Sequence, residues 1–310
     1  MNTRNSGRIF SISKDAQLLQ YLLEICKGQS RTSVKSYLTH GQIRVNGQSI
    51  SAFDYKLKRG DCLEILDKGI MVKKRKGEKD TRVNIIYEDD YLIVVDKRSG
   101  LLTMSSGADG EVTAYSLLYD YVKRMYGRES RVFIVHRIDR ETSGLVIFAK
   151  DQRTKEAMQA NWNDSIISRK YAAILEGCPT EICGTVTSWL TENPKSLKVS
   201  SSPVDNGGKK AITNYKVLTH GRHYSLTEFE LETGRKHQIR VHASLLGCPV
   251  TGDRRYGAKD NPAGRLALHA RSITFRHPAT GKVLSFDTGL PNVFKSVMKE
   301  DMETTEQRVR

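Results

Sequence analysis

The sequence lacks the features of a membrane protein or a secreted protein. Its longest apolar runs, such as Leu92 to Val95 and Leu145 to Ala149, are far shorter than the roughly 20 residues that cross a bilayer. The first ten residues, MNTRNSGRIF, have no apolar core behind their arginines, which a secretory signal would need. The five cysteines form no CxxC pair, which argues against a zinc cluster or a disulfide framework. We therefore expect a cytoplasmic protein with reduced thiols and no membrane contact.

Acidic residues are too few to balance the basic ones. Fifty lysines and arginines against 35 aspartates and glutamates give a net charge of +15, which indicates a polyanionic partner, most often nucleic acid. Residues 1–82 contain 17 basic and 8 acidic residues, a net charge of +9, whereas residues 83–310 contain 33 and 27, a net charge of +6. This asymmetry predicts a nucleic-acid-binding module joined to a more neutral body. A basic surface without a partner is the alternative.

Residues 14–66 have the pattern of a small α/β unit. Leucines at helical spacing predict a helix from Leu18, and a second helix runs from Ser30 to a stop at His40-Gly41. Ile43 to Val45 alternates as a strand and leads into a hairpin signal. The segment SRTSVKSYLTHGQIRVNG resembles the S4 RNA-binding domain, whose second helix and following loop lie against RNA phosphates. The resemblance implies RNA contacts by Arg31, Lys35, Arg44, Lys56 and Lys58.

The remainder of the chain divides into three parts. Residues 67–82, with the basic run Lys73 to Lys76, have no periodicity and are interpreted as a basic linker. Residues 83–295 are rich in strands and show no βαβ repeat, which predicts an α+β body built on a mostly antiparallel mixed sheet. Residues 296–310 are interpreted as a charged C-terminal tail.

The segment VHRIDRETSGLV, residues 135–146, places charge in a polar turn between two apolar strands. Asp139 stands among Arg137 and Arg140, and neighbouring arginines keep a carboxylate ionised and oriented, as a nucleophile or a base requires. Thr142, Ser143 and Gly144 are typical of a tight turn that presents Asp139 at a sheet edge. A structural pair of aspartate and arginine explains the same residues.

The longer string HRIDRETSGLVIFAK is similar to HR-[LI]-D-x-x-T-S-G-[LV], the signature of the RluA-type pseudouridine synthases. Three further segments resemble that family in the same order: IYEDDYLIVVDK from Ile86, RKYAAILEG from Arg169, and LETGRKHQIRVH from Leu231. The resemblance continues through GCPVTGDRRYG and extends from about residue 84 to 292. With an S4-like unit in front, the chain resembles the larger members of the family.

The resemblance implies isomerisation of uridine to pseudouridine within RNA. The N1–C1′ bond breaks, the uracil turns within the site, and C5 bonds to C1′. Large-subunit (23S-type) ribosomal RNA is the expected substrate, because relatives with an S4 domain commonly act there. No metal and no cofactor is needed, and the sequence has neither ligand-spaced clusters nor a GxxxxGK loop.

The same resemblance assigns roles to individual residues. Asp139 is the catalytic residue, either adding to C1′ or removing a sugar proton, and the choice stays open. Tyr171 would stack on the uracil and assist proton removal at C5, while Arg240 would pair with Asp139 and orient it. Arg137 would enter the RNA stack as the target base is flipped out. Leu268 would line the uracil pocket.

Histidines beside these motifs raise the question of a metal site. His237 and His242 read as residues of a strand, where positions five apart point to opposite faces, so we expect no metal. Hydrogen bonds within the fold and contacts with phosphate are the remaining roles. His136 is a predicted substrate-binding residue.

Two other functions are weighed against the synthase. A non-catalytic RNA-binding protein or ribosome assembly factor would be expected to lose Asp139, Tyr171 or Arg240, and all three are present. A hydrolytic nuclease based on His136 and Asp139 would need a second carboxylate or a set of metal ligands nearby, and the sequence offers neither. RNA is the expected partner of a monomer with no obligate protein partner.

Overall fold

The computed structural model of the protein describes residues 7–39, 42–46, 48–50, 52–66, 82–105 and 111–306. The N-terminal unit, residues 7–66, has a core of its own in which Leu18, Leu22 and Leu38 are fully buried. Its main sheet is antiparallel in the order β1-β6-β3-β4. The elements are β1 (Gly7–Ser11), β2 (Ala16–Gln17), α1 (Leu18–Ile25), α2 (Arg31–Thr39), β3 (Ile43–Val45), β4 (Gln48–Ser49), β5 (Lys56–Leu57) and β6 (Cys62–Leu66).

The predicted helices, hairpin and closing strand of this unit are all present, but its start is earlier than predicted. Strand β1 pairs along β6 from Gly7 opposite Leu66 to Ser11 opposite Cys62, so the unit begins at residue 7 rather than at 14. The GRIFS sequence hides this strand because its apolar residues are adjacent instead of alternating. The predicted stop at His40-Gly41 and residues 67–81 of the predicted linker lie outside the described residues.

The body is built on one large sheet. Its main path runs in the order β13-β12-β14-β15-β11-β16-β10-β8-β7, with β17 beside β16 and β9 beside β10. All described pairs are antiparallel except β10 with β16, which confirms the predicted α+β class. The strands are β7 (Val83–Glu88), β8 (Leu92–Lys97), β9 (Phe133–Ile134), β10 (Ser143–Ala149), β11 (Ile166–Glu176), β12 (Cys183–Glu192), β13 (Val199–Ser202), β14 (Lys209–His220), β15 (Tyr224–Leu231), β16 (Leu268–Arg276) and β17 (Val283–Asp287).

The described part of the body contains five helices beside the sheet. Helix α3 begins at a capping box formed by Thr113 and Ser116 and packs Leu118 and Val122 into one core cluster. In the part of the chain that is described, no helix has the length and apolar character to span a bilayer. The helices are α3 (Ala114–Tyr126), α4 (Gln152–Ala160), α5 (Trp162–Ser165), α6 (Gln238–Leu245) and α7 (Asn292–Glu306), and Arg254–Tyr256 form a 3₁₀ turn.

The C-terminal segment is part of the body and not a separate tail. The predicted boundary at residue 296 falls inside α7, which buries Val297 and Met298 in the core. Its Asp301 carboxylate, 3% exposed, accepts hydrogen bonds from the backbone N–H groups of His223 and Tyr224 at 3.0–3.2 Å. The tail-like composition comes from the charged residues of the solvent face of this helix.

One parallel contact joins two parts of the body sheet. Strands β10 and β16 pair through Ser143 opposite His269 and Gly144 opposite Ala270. Gly144 has φ +113°, and a Cβ atom there would lie 2.2 Å from the carbonyl oxygen of Ala270. The glycine therefore allows two backbones to approach more closely than any side chain permits.

Replacement of Gly144 by alanine is expected to reduce the free energy of unfolding by about 3 kcal/mol or more, because a backbone clash adds to an unfavourable φ. Urea denaturation measures this change. Gly257→Ala is the control, since Gly257 has φ +106° with no atom within 4 Å of the added Cβ, and it should cost only about 1–2 kcal/mol. Equal losses in the two variants would contradict the close approach.

Candidate active site

The loop that carries Asp139 is fixed by a buried lysine. Lys97 is fully buried, and its Nζ donates to the carbonyl oxygens of Arg98, Leu101 and Arg140 at 3.1, 2.7 and 3.1 Å. Burial lowers the pKa of Lys97 to about 8, which still leaves an ammonium group at neutral pH. Its three N–H donors thus match three acceptors, one of them in the residue next to Asp139.

Backbone and hydroxyl contacts hold the same loop from its other residues. The Oγ1 of Thr103 donates to the carbonyl oxygen of Ile138 at 2.9 Å. The N–H of Gly100 donates to the carbonyl oxygen of Arg140, also at 2.9 Å. Asp139 is therefore flanked on both sides by anchored peptide groups. Its own side chain is 29% exposed. The predicted tight turn at Thr142 to Gly144 is wrong, because Ser143 and Gly144 already belong to β10, which is an interior strand of the sheet.

The guanidinium of Arg240, on α6, joins two carboxylates. Its Nε and Nη2 donate to Oδ2 and Oδ1 of Asp253 at 2.6 and 2.8 Å, and its Nη1 donates to Oδ2 of Asp139 at 3.4 Å. Burial by itself lowers the pKa of Arg240, but the hydrogen bonds and charge of Asp253 outweigh it, so the net shift is upward. A rigid cation is thereby directed at Asp139.

His237 contacts the same oxygen of Asp139. Its Nε2 lies 3.8 Å from Oδ2 of Asp139, and its Nδ1 lies 2.8 Å from the hydroxyl of Tyr256. That hydroxyl accepts a hydrogen bond from the N–H of Val199 at 3.1 Å. We therefore assign the hydroxyl as the donor to Nδ1 of His237, which leaves the ring proton on Nε2. Burial lowers the pKa of His237, which favours the neutral ring.

The other oxygen of Asp139 has no such neighbour. Among the described residues, neither a hydrogen bond nor an ion pair reaches Oδ1, while Oδ2 is contacted by Arg240 and His237. The carboxylate is thus oriented through one oxygen and presents the other. This arrangement suits a carboxylate that attacks or deprotonates a bound molecule.

Tyr171 and Leu268 lie next to each other in the sheet. Tyr171 of β11 is opposite Ala270 of β16. Leu268 of β16 is opposite Ala173 of β11. Leu268 is buried in a core cluster against which the half-buried Tyr171 packs. Burial raises the pKa of Tyr171, and the charge of Asp139 adds to the rise, so the phenol is protonated at neutral pH.

His136 and Arg137 differ in exposure. The Nε2 of His136 accepts the N–H of Ile147 at 3.0 Å, and its ring is 5.0 Å from that of Trp162. Burial, with a smaller contribution from Arg169, lowers the pKa of His136 to about 3, so the ring is neutral. Arg137 is exposed and contacts only the sulfur of Met104, at 3.8 Å, among the residues described.

The sequence predicts a strand for HQIRVH, and the structure has helix α6 instead. Ile239 and Val241 alternate with polar residues, which imitates a strand. The buried face of the helix is completed by polar residues: Gln238 donates to Thr213, and His242 bonds to Ser188 and Thr213. The prediction that His237 and His242 lie on a strand was therefore wrong. The described residues contain no group of three side chains that could hold a metal ion.

Two residues of the site, Asp253 and Tyr256, were not predicted. Both belong to the segment GDRRYG, whose resemblance to the family was noted without a role for either residue. Asp253 is buried and Tyr256 stands 5.0 Å from the Arg240 guanidinium, so together they enclose it. The available signal was the match of this segment to the family pattern.

The predicted RNA-binding residues of the N-terminal unit are mostly exposed. Arg31 and Lys35 are four residues apart on α2 and share a helix face. Lys56 and Lys58 are also exposed, whereas Arg44 is half-buried on β3. A second group of exposed cations surrounds the β12–β13 turn near His237: Lys195, Lys198, Lys209, Lys210, Arg235, Lys236, Arg254 and Arg255.

Comparisons with known proteins identify the family of the chain. The profile of the family described as RNA pseudouridylate synthase matches residues 91–245. The chain is 31% identical to an uncharacterized RNA pseudouridine synthase, YhcT, of Bacillus subtilis, over 96% of this chain and 99% of that protein. It is 32% identical to ribosomal large subunit pseudouridine synthase D of Zymomonas mobilis, over 87% of this chain and 89% of the relative.

A similar fold occurs in a solved human structure. Human RNA pseudouridylate synthase domain containing 4 aligns with a TM-score of 0.57 and 24% identity, covering 68% of this chain and 90% of the human chain. A second human protein, RNA pseudouridylate synthase domain containing 1, aligns with a TM-score of 0.55 at 22% identity. At these identities the likeness concerns the fold of the body alone.

Proposed function

The chain belongs to the RNA pseudouridylate synthase family, and on that premise we propose that it isomerises uridines of large-subunit (23S-type) ribosomal RNA with Asp139 as its catalytic residue. Membership makes it an RNA pseudouridine synthase. The ribosomal substrate is supported by relatives named as ribosomal large subunit pseudouridine synthases in Zymomonas mobilis and Vibrio cholerae, each 32% identical over most of this chain.

One observation carries the catalytic assignment: Asp139 is held through Oδ2 by Arg240 and His237, and its Oδ1 is left for substrate. In one route, Oδ1 bonds to C1′ as the N1–C1′ bond breaks and its electron pair stays on N1. The turned uracil then bonds to C1′ through C5 and releases the carboxylate. In the other route, Oδ1 removes the C2′ proton as the N1–C1′ bond breaks and a C1′=C2′ double bond forms, and it returns the proton to C2′ as C5 bonds to C1′. In both routes C5 finally loses its proton and N1 gains one.

Tyr171, Leu268 and Arg137 have complementary parts in this proposal. Tyr171 stacks on the uracil and offers a hydroxyl near C5, and since the phenol stays protonated it does not act as a phenolate base. Leu268 supplies the apolar wall behind it. Exposure of Arg137 beside Asp139 fits a side chain that replaces the flipped base in the RNA stack. His136 is placed at the substrate side through Nδ1, because its Nε2 is used by Ile147.

The N-terminal unit is proposed to be an S4-like RNA-binding domain, followed by a basic linker and the catalytic body. Support comes from its separate core and from cations that remain exposed on α2 and around β5. A second group of exposed cations lies on the body near His237, whose Nε2 is 3.8 Å from Asp139. Phosphate contacts by both groups would supply affinity without reading sequence.

The substrate is tested by mapping pseudouridine in ribosomal RNA from cells with and without the gene. We expect one or more large-subunit positions to lose the modification, and a plasmid copy of the parent gene to restore them. The purified enzyme should modify the same positions in a large-subunit transcript. Unchanged ribosomal RNA together with lost transfer-RNA positions would contradict the substrate assignment and leave the enzyme class intact.

The double substitution Arg31→Gln and Lys35→Gln is expected to weaken RNA binding about tenfold at moderate salt. The slope of log Kd against log salt should flatten by about 1.5, because two phosphate contacts are lost. Lys14→Gln with Lys27→Gln removes the same charge from exposed positions of the same unit and should have less than half that effect. Equal effects of the two pairs would show a general charge effect in place of a contact surface.

A further inference from the structure

Arg169 is a half-buried cation that forms no ion pair in the region that the structure describes. It lies on β11, its Nε is buried without a hydrogen-bond partner, and none of the described residues forms an ion pair with it. Burial lowers the pKa of Arg169, but a guanidinium remains charged at neutral pH because its ordinary pKa lies far above neutrality. The side chain thus holds a full positive charge and several unused N–H donors.

The surroundings of Arg169 belong to the catalytic cleft. Tyr171 is two residues further along the strand and therefore on the same face of it. The guanidinium carbon is 5.6 Å from the centre of the Trp162 ring, and a Cβ atom on Gly234 would lie 2.9 Å from Nη1. Gly234 is in the loop that leads to His237. A cavity of about 390 Å³ opens at this place, and its lining includes Arg169, Trp162, Glu230 and Glu232. The two glutamates accept hydrogen bonds from Ser168 and Asn214 and form no ion pair with Arg169.

Other buried cations in the described part of the body have hydrogen-bond acceptors or ion-pair partners, which Arg169 lacks. Arg240 is bound by Asp253, Lys97 by three carbonyl oxygens, and Lys150 by Glu88 at 3.0 Å. The Trp162 ring compensates only part of the desolvation of a guanidinium. A buried charge without a partner reduces stability, so its presence indicates that the missing partner is a ligand.

We propose that Arg169 binds a backbone phosphate of the substrate RNA next to the flipped uridine. When the ribose lies at Asp139 and the uracil at Tyr171, the phosphates that flank this nucleotide are within a few ångströms of the same cleft. A planar guanidinium binds two oxygens of a phosphodiester, and its charge then gains the partner that the protein does not supply. The inference rests on the synthase activity and is independent of which RNA is modified.

The test compares two effects of removing the Arg169 charge: substrate binding should become weaker, whereas stability should stay the same or increase. Arg169→Met should raise the KM for RNA by 10-fold to 100-fold and change kcat by less than threefold, while the melting temperature stays equal or rises. The slope of log KM against log salt should flatten by about 0.7, the value for one phosphate contact on single-stranded RNA. Arg169→Lys retains the charge and should restore KM to within about fivefold of the parent value.

Arg271→Met is the matched control, because Arg271 is also half-buried on the sheet but is paired with Glu228 and Asp287. It should lower the melting temperature and leave KM unchanged. A parental KM and salt slope in Arg169→Met would overturn the proposal, as would a loss of stability shared by Arg169→Met and Arg169→Lys. Inorganic phosphate tests whether Arg169 binds a free anion in place of RNA. If phosphate raises the melting temperature of the parent and not that of Arg169→Met, while the two proteins have the same KM for RNA, the proposal is also overturned.

Discussion

Asp139→Asn should yield no detectable pseudouridine, while its RNA affinity stays within about tenfold of that of the parent protein, or about 1.4 kcal/mol. The substitution keeps the size of the side chain but leaves no oxygen basic or nucleophilic enough to act at the ribose. RNA affinity comes mainly from phosphate contacts elsewhere, so binding survives. Tritium release from RNA containing 5-³H-uridine measures the reaction, and a titration of the same preparation measures binding.

The geometry also fixes the expected stability of this variant. Asp139 is 29% exposed and contacts Arg240 at 3.4 Å, whereas Asp253 retains two shorter bonds to that guanidinium. The free energy of unfolding should therefore change by less than about 1 kcal/mol. Glu141→Gln removes the same charge from an exposed position two residues away and should keep parental activity. Tritium release at the parental rate by folded Asp139→Asn would exclude the proposed mechanism.

Asp253→Asn should be the most destabilising change in the site. It removes the charge of the buried partner, so the 3.4 Å contact to Asp139 becomes the remaining ion pair of the Arg240 guanidinium, which is 12% exposed. The expected loss is about 3–5 kcal/mol of unfolding free energy, measured by urea denaturation. Under conditions where the variant is folded, kcat should fall at least tenfold with KM within threefold, because a mobile Arg240 no longer orients Asp139.

The double variant Asp253→Asn with Arg240→Met separates stability from positioning. Removal of both charges should recover most of the lost stability, to within about 1–2 kcal/mol of the parent, since no buried charge is left unpaired. Activity should stay at least as low as in the single variant. Recovery of kcat in the double variant would contradict the view that Arg240 orients the catalytic carboxylate.

The sequence predicted those helices and strands whose buried residues are apolar and recur at regular spacing. The runs Leu145 to Ala149 and Tyr171 to Glu176 became the central strands β10 and β11. Helix α6 escaped because Gln238 and His242 are buried through hydrogen bonds to residues some 25 positions or more away, which no local periodicity records. Strand β12 escaped because half of CGTVTSWLTE is exposed, so its apolar signal is weak.

Residues of the candidate site could be predicted where the resemblance to the family assigned them a role. The other residues of the site could not. The pairing of Asp139 with Arg240 followed from matched motifs, and the two side chains are in contact in the structure. The role of Asp253 did not follow, because an acid in GDRRYG reads as a solvated turn until its partner on α6 is known. The unpaired charge of Arg169 is a property of its neighbours alone, and a sequence does not contain them.

The parallel contact at Gly144 has a consequence for motion in the catalytic cleft. Asp139 precedes β10 on one side of this contact, and Tyr171 lies on β11, beyond β16, on the other. Only two residue pairs, reinforced by the 2.8 Å bond between Ser143 Oγ and His269 Nδ1, connect these strands. The strand pairing between the segment of Asp139 and the strand of Tyr171 is therefore short, and we expect it to be the place where the cleft opens and closes. Amide hydrogen exchange at Ser143 and Gly144 should slow when RNA closes the cleft, and so report the opening of the enzyme directly.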